Sequence, residues 1–188
     1  GKALADRFGV TLDMHRGWDE PADLAHLQRL NVLGENVQLV HMCRTNAADL
    51  GLLKASGTSV VHCPAASARV GSGATRHSLF PEMIDGGVNV CLGSDSGNYS
   101  DFFDVGRQMY LAAVMHREFH QEMPTITAES AFEMATLNGA RSLGIADHVG
   151  SLEVGKRADI VIHRNDAGRP ELRPAKNDPL CAPFALLA

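Results

Sequence analysis

Apolar residues fall in short runs separated by longer polar stretches, and the runs alternate between two periods. Residues 10–14 (Val10, Thr11, Leu12, Asp13, Met14) predict a short strand. Leu24, Leu27 and Leu30 recur at helical spacing, and the pattern predicts a helix over 20–31 with Pro21 in its first turn. A second strand is expected over 37–40 and a helix over about 47–55. A third strand is expected over 58–61, followed by a Gly/Ser/Ala-rich loop. A helix over about 77–84 and a fourth strand over 88–92 complete four successive βα units. The strands are short, β-branched and nearly continuous in apolar character, as parallel strands covered on both faces are. The sequence predicts an α/β fold on that ground.

Beyond residue 100 the pattern becomes helical. A long helix is expected over about 101–120, with Phe102, Val105, Met109 and Ala112 as its apolar stripe. Another follows Thr127, a suitable N-cap. A further strand is expected over 159–162, and the stretch from Asn165 onward, rich in Pro, Asn and Asp, reads as loop. No internal repeat or low-complexity tract interrupts this order.

The chain has 188 residues, 45% hydrophobic and 21% charged, enough for one domain with a core. Its net charge is −5 and it has no basic run, which argues against a nucleic-acid partner. No apolar run reaches the roughly 18 residues of a membrane span. Cys43, Cys63, Cys91 and Cys181 are far apart, without a C-x-x-C pair. They read as small buried hydrophobes in a reducing, cytoplasmic setting, not as a disulfide framework or zinc ribbon.

In parallel α/β folds, chemistry gathers where strands end. Here the four ends carry His15, His41, His62-Cys63-Pro64 and Ser94-Asp95-Ser96. Three histidines and an aspartate in phase with four strands are the candidate site. Two other patterns carry less. His116-Arg117-Glu118-Phe119-His120 displaces the Glu that a zincin places directly after its first His, and both histidines extend an apolar helix stripe. Gly71-Ser72-Gly73 has Arg76 where a dinucleotide loop needs Gly.

The C-terminal segments Ala135-Thr136-Leu137-Asn138-Gly139-Ala140-Arg141 and Val149-Gly150-Ser151-Leu152-Glu153-Val154-Gly155-Lys156-Arg157-Ala158-Asp159 resemble the tail of the amidohydrolase superfamily. The branch is that of cytosine-deaminase-like and triazine-hydrolase-like enzymes. His62-Cys63-Pro64-Ala65-Ala66-Ser67 resembles the family's His-Cys-Pro-x-Ser-Asn turn, and Leu92-Gly93-Ser94-Asp95-Ser96 its Leu-Gly-Thr-Asp-Gly. The resemblance covers about residues 8–164.

It implies the C-terminal half of a TIM-type (β/α)8 barrel over 1–149, and part of a small β-sandwich with a C-terminal loop over 150–188. It implies one divalent metal ion, Zn or Fe(II). His15 would be the strand-five ligand and Asp95 the strand-eight ligand, with Asp95 also taking the proton of the attacking water. His41 would be the strand-six histidine that contacts substrate and stabilises developing charge. Trp18 and Asn98 are further substrate-binding candidates.

The implied function is metal-dependent hydrolysis of a non-peptide carbon–nitrogen bond in a small heterocyclic substrate, by deamination or amide/amidine hydrolysis. A homo-oligomer is expected from the same resemblance. Three departures stand out. The chain has no His-x-His, so those two ligands are expected upstream and the 188 residues alone are expected to be inactive. Trp18 stands where deaminases of the branch carry a relay Glu, leaving Asp19 or Glu20 as substitutes. Ser67 and Ser96 replace an expected Asn and Gly. A non-catalytic binding or assembly role is the competing reading.

Overall fold

A computed structural model describes residues 1–121 and 125–162. In chain order the elements are α1 (Lys2–Phe8), β1 (Leu12–Arg16), α2 (Leu24–Arg29), β2 (Val37–His41), α3 (Ala47–Ser56), β3 (Ser59–His62) and α4 (Pro64–Val70). They continue with α5 (Ala74–His77), α6 (Phe80–Asp85), β4 (Val90–Leu92), α7 (Gly97–Ser100), α8 (Val105–His120), α9 (Ala128–Ala135) and α10 (Leu137–Ser142). The four strands form one parallel sheet in the order β1-β2-β3-β4, so each crossover moves the chain one strand along. All four C-terminal strand ends therefore lie along one rim.

The two faces of the sheet differ. Leu39, Val60 and Val90 point to the helices and share the main core with Leu24, Leu27, Leu53, Phe80, Met83, Met109 and Met134. Val40, Val61, Cys63 and Cys91 point the other way and form a small second cluster with Ala66 and Trp18. In β3 all four residues are buried. In β1 burial alternates, with Asp13 and His15 exposed on the second face. Cover on both faces thus holds for β3 and fails for the edge strand β1.

Several element boundaries differ from the sequence pattern, each because a backbone group is used elsewhere. The helix expected over 20–31 is only Leu24–Arg29, capped by Asp23. Ala22 N–H donates to Arg44 C=O at 3.0 Å and so belongs to the strand rim, not to a helix. The helix expected over 77–84 is broken at Ser78. Thr45 N–H donates to His77 C=O, and Leu79 N–H donates to the Thr45 hydroxyl, both at 3.0 Å. Pro81 then sits in the first turn of α6. The Gly/Ser/Ala-rich segment is not loop but α4 and α5. Ala65 and Ala66 are strong helix formers, and Gln108 Oε1 accepts from Ala65 N–H at 3.1 Å in the first turn. The long helix begins at Val105, not 101, because Asp104 accepts from Arg107 N–H. The Thr127 cap of α9 is present, its hydroxyl accepting from Ser130 N–H at 3.0 Å.

The strand expected over 159–162 does not form. Among the described residues nothing pairs with this segment, and Ile160, Val161 and Ile162 are exposed. The loop expected from Asn165 onward, and Cys181, lie outside the described residues. The tail motif acts structurally. Asn138 Nδ2–H donates to Val90 C=O at 3.0 Å, while Asn89 Nδ2–H donates to Asn138 C=O at 3.0 Å, tying α10 to β4. Gly150 crosses α10 so closely that a Cβ there would lie 2.7 Å from Ala140 Cβ.

Candidate metal and substrate site

Three of the four strand ends meet. His41, the last residue of β2, is 4% exposed, and His15 of β1 lies beside it with Nδ1 2.9 Å from His41 Nε2. Asp95 follows β4 and places Oδ2 3.8 Å from the same Nε2. His41 and Asp95 both adopt positive φ, 81° and 62°, a conformation that costs a non-glycine residue roughly 1–3 kcal/mol. Such strain is concentrated at functional positions. Asp95 Oδ1 accepts from Ser96 N–H at 2.6 Å, which fixes the carboxylate on its turn.

His62 does not join this group. Strand alternation sends it to the helix side, where it stacks on Phe80 at 3.9 Å between ring centroids and lies 5.4 Å from His116. Neither of its ring nitrogens has a partner. The inward position is taken by Cys63. His41, Cys63 and Asp95 each offer one donor atom, and these atoms lie within 4.8 Å of one another. His15 is outside that triad and is linked to it through His41. Cys63 was legible in the sequence: two-residue alternation from Val61 places it, not His62, on the inner face.

A hollow of about 520 Å³ opens above these residues, lined by His15, Trp18, Asp19, Glu20, His41 and Tyr99, with Asp95 at its base. Trp18 packs its ring edge against His41 at 4.3 Å, and Tyr99 approaches Trp18 at 6.3 Å. Asp19 and Glu20 are exposed on the rim. Asn98 is not among the residues lining the hollow. It is exposed, and its Oδ1 accepts from the Ser96 hydroxyl at 2.6 Å. Tyr99, one residue on, faces the hollow instead, and nothing in the local pattern marked it. Gly17, at φ 66°, lets the β1–α2 loop pass the β2 end, where a Cβ would sit 3.4 Å from Met42 Cα.

Burial, reinforced by His15, holds His41 below the ordinary histidine value, against the opposing pull of Asp95 and Asp13. His41 is thus disposed to the neutral form that ligates or accepts a proton. Burial, and then the Asp95 charge, push the Cys63 thiol up to about 12. The donor set fits a divalent ion. His41 Nε2 and Asp95 Oδ2 are too far apart for a hydrogen bond, yet close to the roughly 3.4 Å that separates two tetrahedral zinc ligands with bonds of about 2.0–2.1 Å. His41 Nδ1 is buried without a partner.

A profile of the amidohydrolase family matches residues 13–181. The chain is 37% identical over 155 residues to a 5-methylthioadenosine/S-adenosylhomocysteine deaminase of Teredinibacter turnerae, an alignment covering 80% of this chain and 34% of the relative. It is 34% identical over 136 residues to an S-triazine hydrolase of Gordonia rubripertincta, covering 72% of this chain and 28% of the relative. The chain therefore spans about a third of the length of these curated relatives. Among solved structures, a zinc-bound adenosine deaminase from Xanthomonas campestris superposes with a TM-score of 0.78 at 30% identity, covering 84% of this chain and 38% of that one. A zinc complex of an atrazine chlorohydrolase from Arthrobacter aurescens shares the fold, with a TM-score of 0.75 at 21% identity over 84% of this chain and 36% of that one. With an α/β parallel sheet, strand-end His and Asp residues on one rim, and a family match across most of its length, this chain belongs to the amidohydrolase family.

Proposed function

We propose that the chain is the C-terminal half of a (β/α)8 barrel in a metal-dependent hydrolase that cleaves a carbon–nitrogen bond in a small nitrogen heterocycle. The observation that carries this reading is the convergence of His15, His41 and Asp95 on one rim of a four-stranded parallel sheet. The polar, exposed inner face of β1 supports the half-barrel, because Asp13 and His15 alternate with residues that belong to the core. The segment from Gly150 would complete a β-sandwich with partner strands, which gives a role to the exposed Ile160, Val161 and Ile162.

His15 and Asp95 would hold one divalent ion, Zn or Fe(II), with His41 beside them. The ion supplies Lewis acidity, lowering the pKa of a water from about 15.7 to about 7. Asp95 Oδ2, 3.8 Å from His41, accepts the proton of the attacking water. His41 stabilises charge on the atom under attack, a role suited to a buried ring oriented by two neighbours. Trp18 excludes water from one side of His41 and offers an aromatic wall to a planar ring. With Trp18 at the usual relay position, Asp19 or Glu20 on the rim protonates the leaving nitrogen. The names of the deaminase and triazine hydrolase relatives support an amino-substituted or comparable heterocycle as substrate.

Buried, unpaired Cys43, Cys63 and Cys91 accord with a reducing cytoplasm. Among the described residues no helix is long and apolar enough to cross a membrane. Asp95→Ala in the full-length protein is the deciding variant. Metal content should fall well below one ion per chain, and kcat should drop by at least about a hundredfold. Normal metal content and turnover would overturn the hydrolase reading. Retained ligand binding by a wild-type protein with no turnover would favour a binding role instead.

A further inference from the structure

The sequence pairs His15 with Asp95 as metal ligands, yet the tightest donor cluster among the described residues is His41, Cys63 and Asp95. The three lie at or just beyond the C-terminal ends of three successive strands, β2, β3 and β4. Cys63 packs on the inner side of the sheet, where it is 1% exposed, and the His41 and Asp95 donors approach it at the strand-end rim. The Cys63 sulfur and an Asp95 carboxylate oxygen lie within 4.8 Å of each other across the β3 and β4 ends. Gly93 makes this approach possible, since a Cβ there would lie 3.2 Å from Cys63 Sγ and 2.9 Å from Val61 Cγ1.

We propose that His41, Cys63 and Asp95 form a second coordination mode for a thiophilic divalent cation, Zn2+ or Cd2+, overlapping the His15–Asp95 site and excluding it. The chemistry follows from the donor set. Imidazole and carboxylate accept many first-row ions, but a thiolate selects soft ones. A tetrahedral ion with a Zn–S bond of about 2.3 Å and a Zn–N bond of about 2.0–2.1 Å spaces sulfur and nitrogen roughly 3.6 Å apart. The observed upper limit of 4.8 Å closes to that value by a movement of about 1 Å, within the reach of small side-chain rotations. Binding breaks the Cys63 S–H bond and forms the S–metal bond, and the proton leaves to the buffer. The fourth position stays open to water or to His15, which already touches His41.

This mode occupies His41, which the hydrolase reading leaves free for substrate, and draws Asp95 away from the ion it shares with His15. Cd2+ is therefore an inhibitor that competes with the catalytic ion, and Cys63 sets that sensitivity. The coordination mode itself does not depend on the protein being a hydrolase.

The test uses full-length protein stripped of metal by a chelator, then titrated with Co2+ alone under reducing, anaerobic conditions. Wild-type protein should develop a sulfur-to-cobalt charge-transfer band in the near ultraviolet that saturates at one ion per chain. Cys63→Ser should lose the band. Cys43→Ser and Cys91→Ser should keep it. No band in wild-type protein, or a band that survives in Cys63→Ser, overturns the proposal. Cadmium-thiolate absorption in wild-type protein gives a reading that needs no variant, and its absence at one equivalent has the same consequence. Neither spectrum depends on turnover, so failure of the hydrolase reading leaves this test intact.

Discussion

His116 gives the sharpest quantitative expectation. It lies on α8, is 0% exposed, and neither ring nitrogen has a hydrogen-bond partner. The groups facing it are His62 from β3, Phe80 from α6 and His120 one turn along α8. Burial first, and then His120, lower its pKa from 6.5 to about 4. Between those values the unfolded chain binds a proton that the folded chain refuses. Stability therefore rises with pH across this window and is lost as pH falls from 6.5 toward 4. At pH 5 the loss relative to pH 7.5 is about 2 kcal/mol, roughly thirtyfold in the folded-to-unfolded ratio. It approaches about 3.4 kcal/mol below pH 4. His116→Leu removes the titrating group while keeping an apolar side chain in the core. Urea unfolding of wild type and variant in full-length protein at pH 7.5 and pH 5 isolates the effect. His41 keeps its own acid sensitivity in both proteins, while His62 loses the part of its lowering that the His116 charge supplies, which adds to the difference in the same direction. The variant should lose about 2 kcal/mol less than wild type over this interval. If the two losses agree within about 0.5 kcal/mol, the usual error of additivity, His116 is not buried as described.

Gly150→Ala places a methyl 2.7 Å from Ala140 Cβ and 3.1 Å from Leu137 Cα, at a φ of 93° that alanine resists. It should destabilise the α10–tail junction by about 2 kcal/mol or more, read as a lower Tm, and an unchanged Tm would refute the close crossing. Trp18→Glu removes the aromatic wall beside His41. With Asp19 or Glu20 supplying the acid as proposed, ammonia release from an amino-substituted heterocycle in the full-length protein should fall by about tenfold or more, and a rise would place the proton relay at position 18 instead.

The elements legible in the sequence were those whose residues answer mainly to their own neighbours. The four strands and α3 follow from apolar runs and local caps, since Asn46 and Asp49 close a capping box without help from distant residues. Where the sequence misled, a distant backbone had claimed the groups involved. Thr45 breaks the helix at Ser78, and Gln108, forty-three residues away, supports the start of α4. Neither contact leaves a periodic signal. The segment at 159–162 shows the converse: a β-rich sequence is only half of a strand, and without a partner ladder among the described residues Ile160, Val161 and Ile162 form no strand and are exposed.

The site divides along the same line. His15, His41 and Asp95 were legible because each terminates or follows a strand, and parallel topology alone carries strand ends to one rim. His62 satisfied that rule equally well and still points away, because position along a strand fixes the rim while parity fixes the face. Applied together, the two criteria would have exchanged His62 for Cys63 but would also have rejected His41, which shares the parity of His62 and leaves strand geometry at a φ of 81°. Asn98 and Tyr99 escape both, since they sit in α7, where a single residue of helical phase decides between the hollow and solvent. Parity is therefore why a cysteine that resembled core packing stands among the donors, while His41 joins them against parity because its positive φ turns the chain at the strand end.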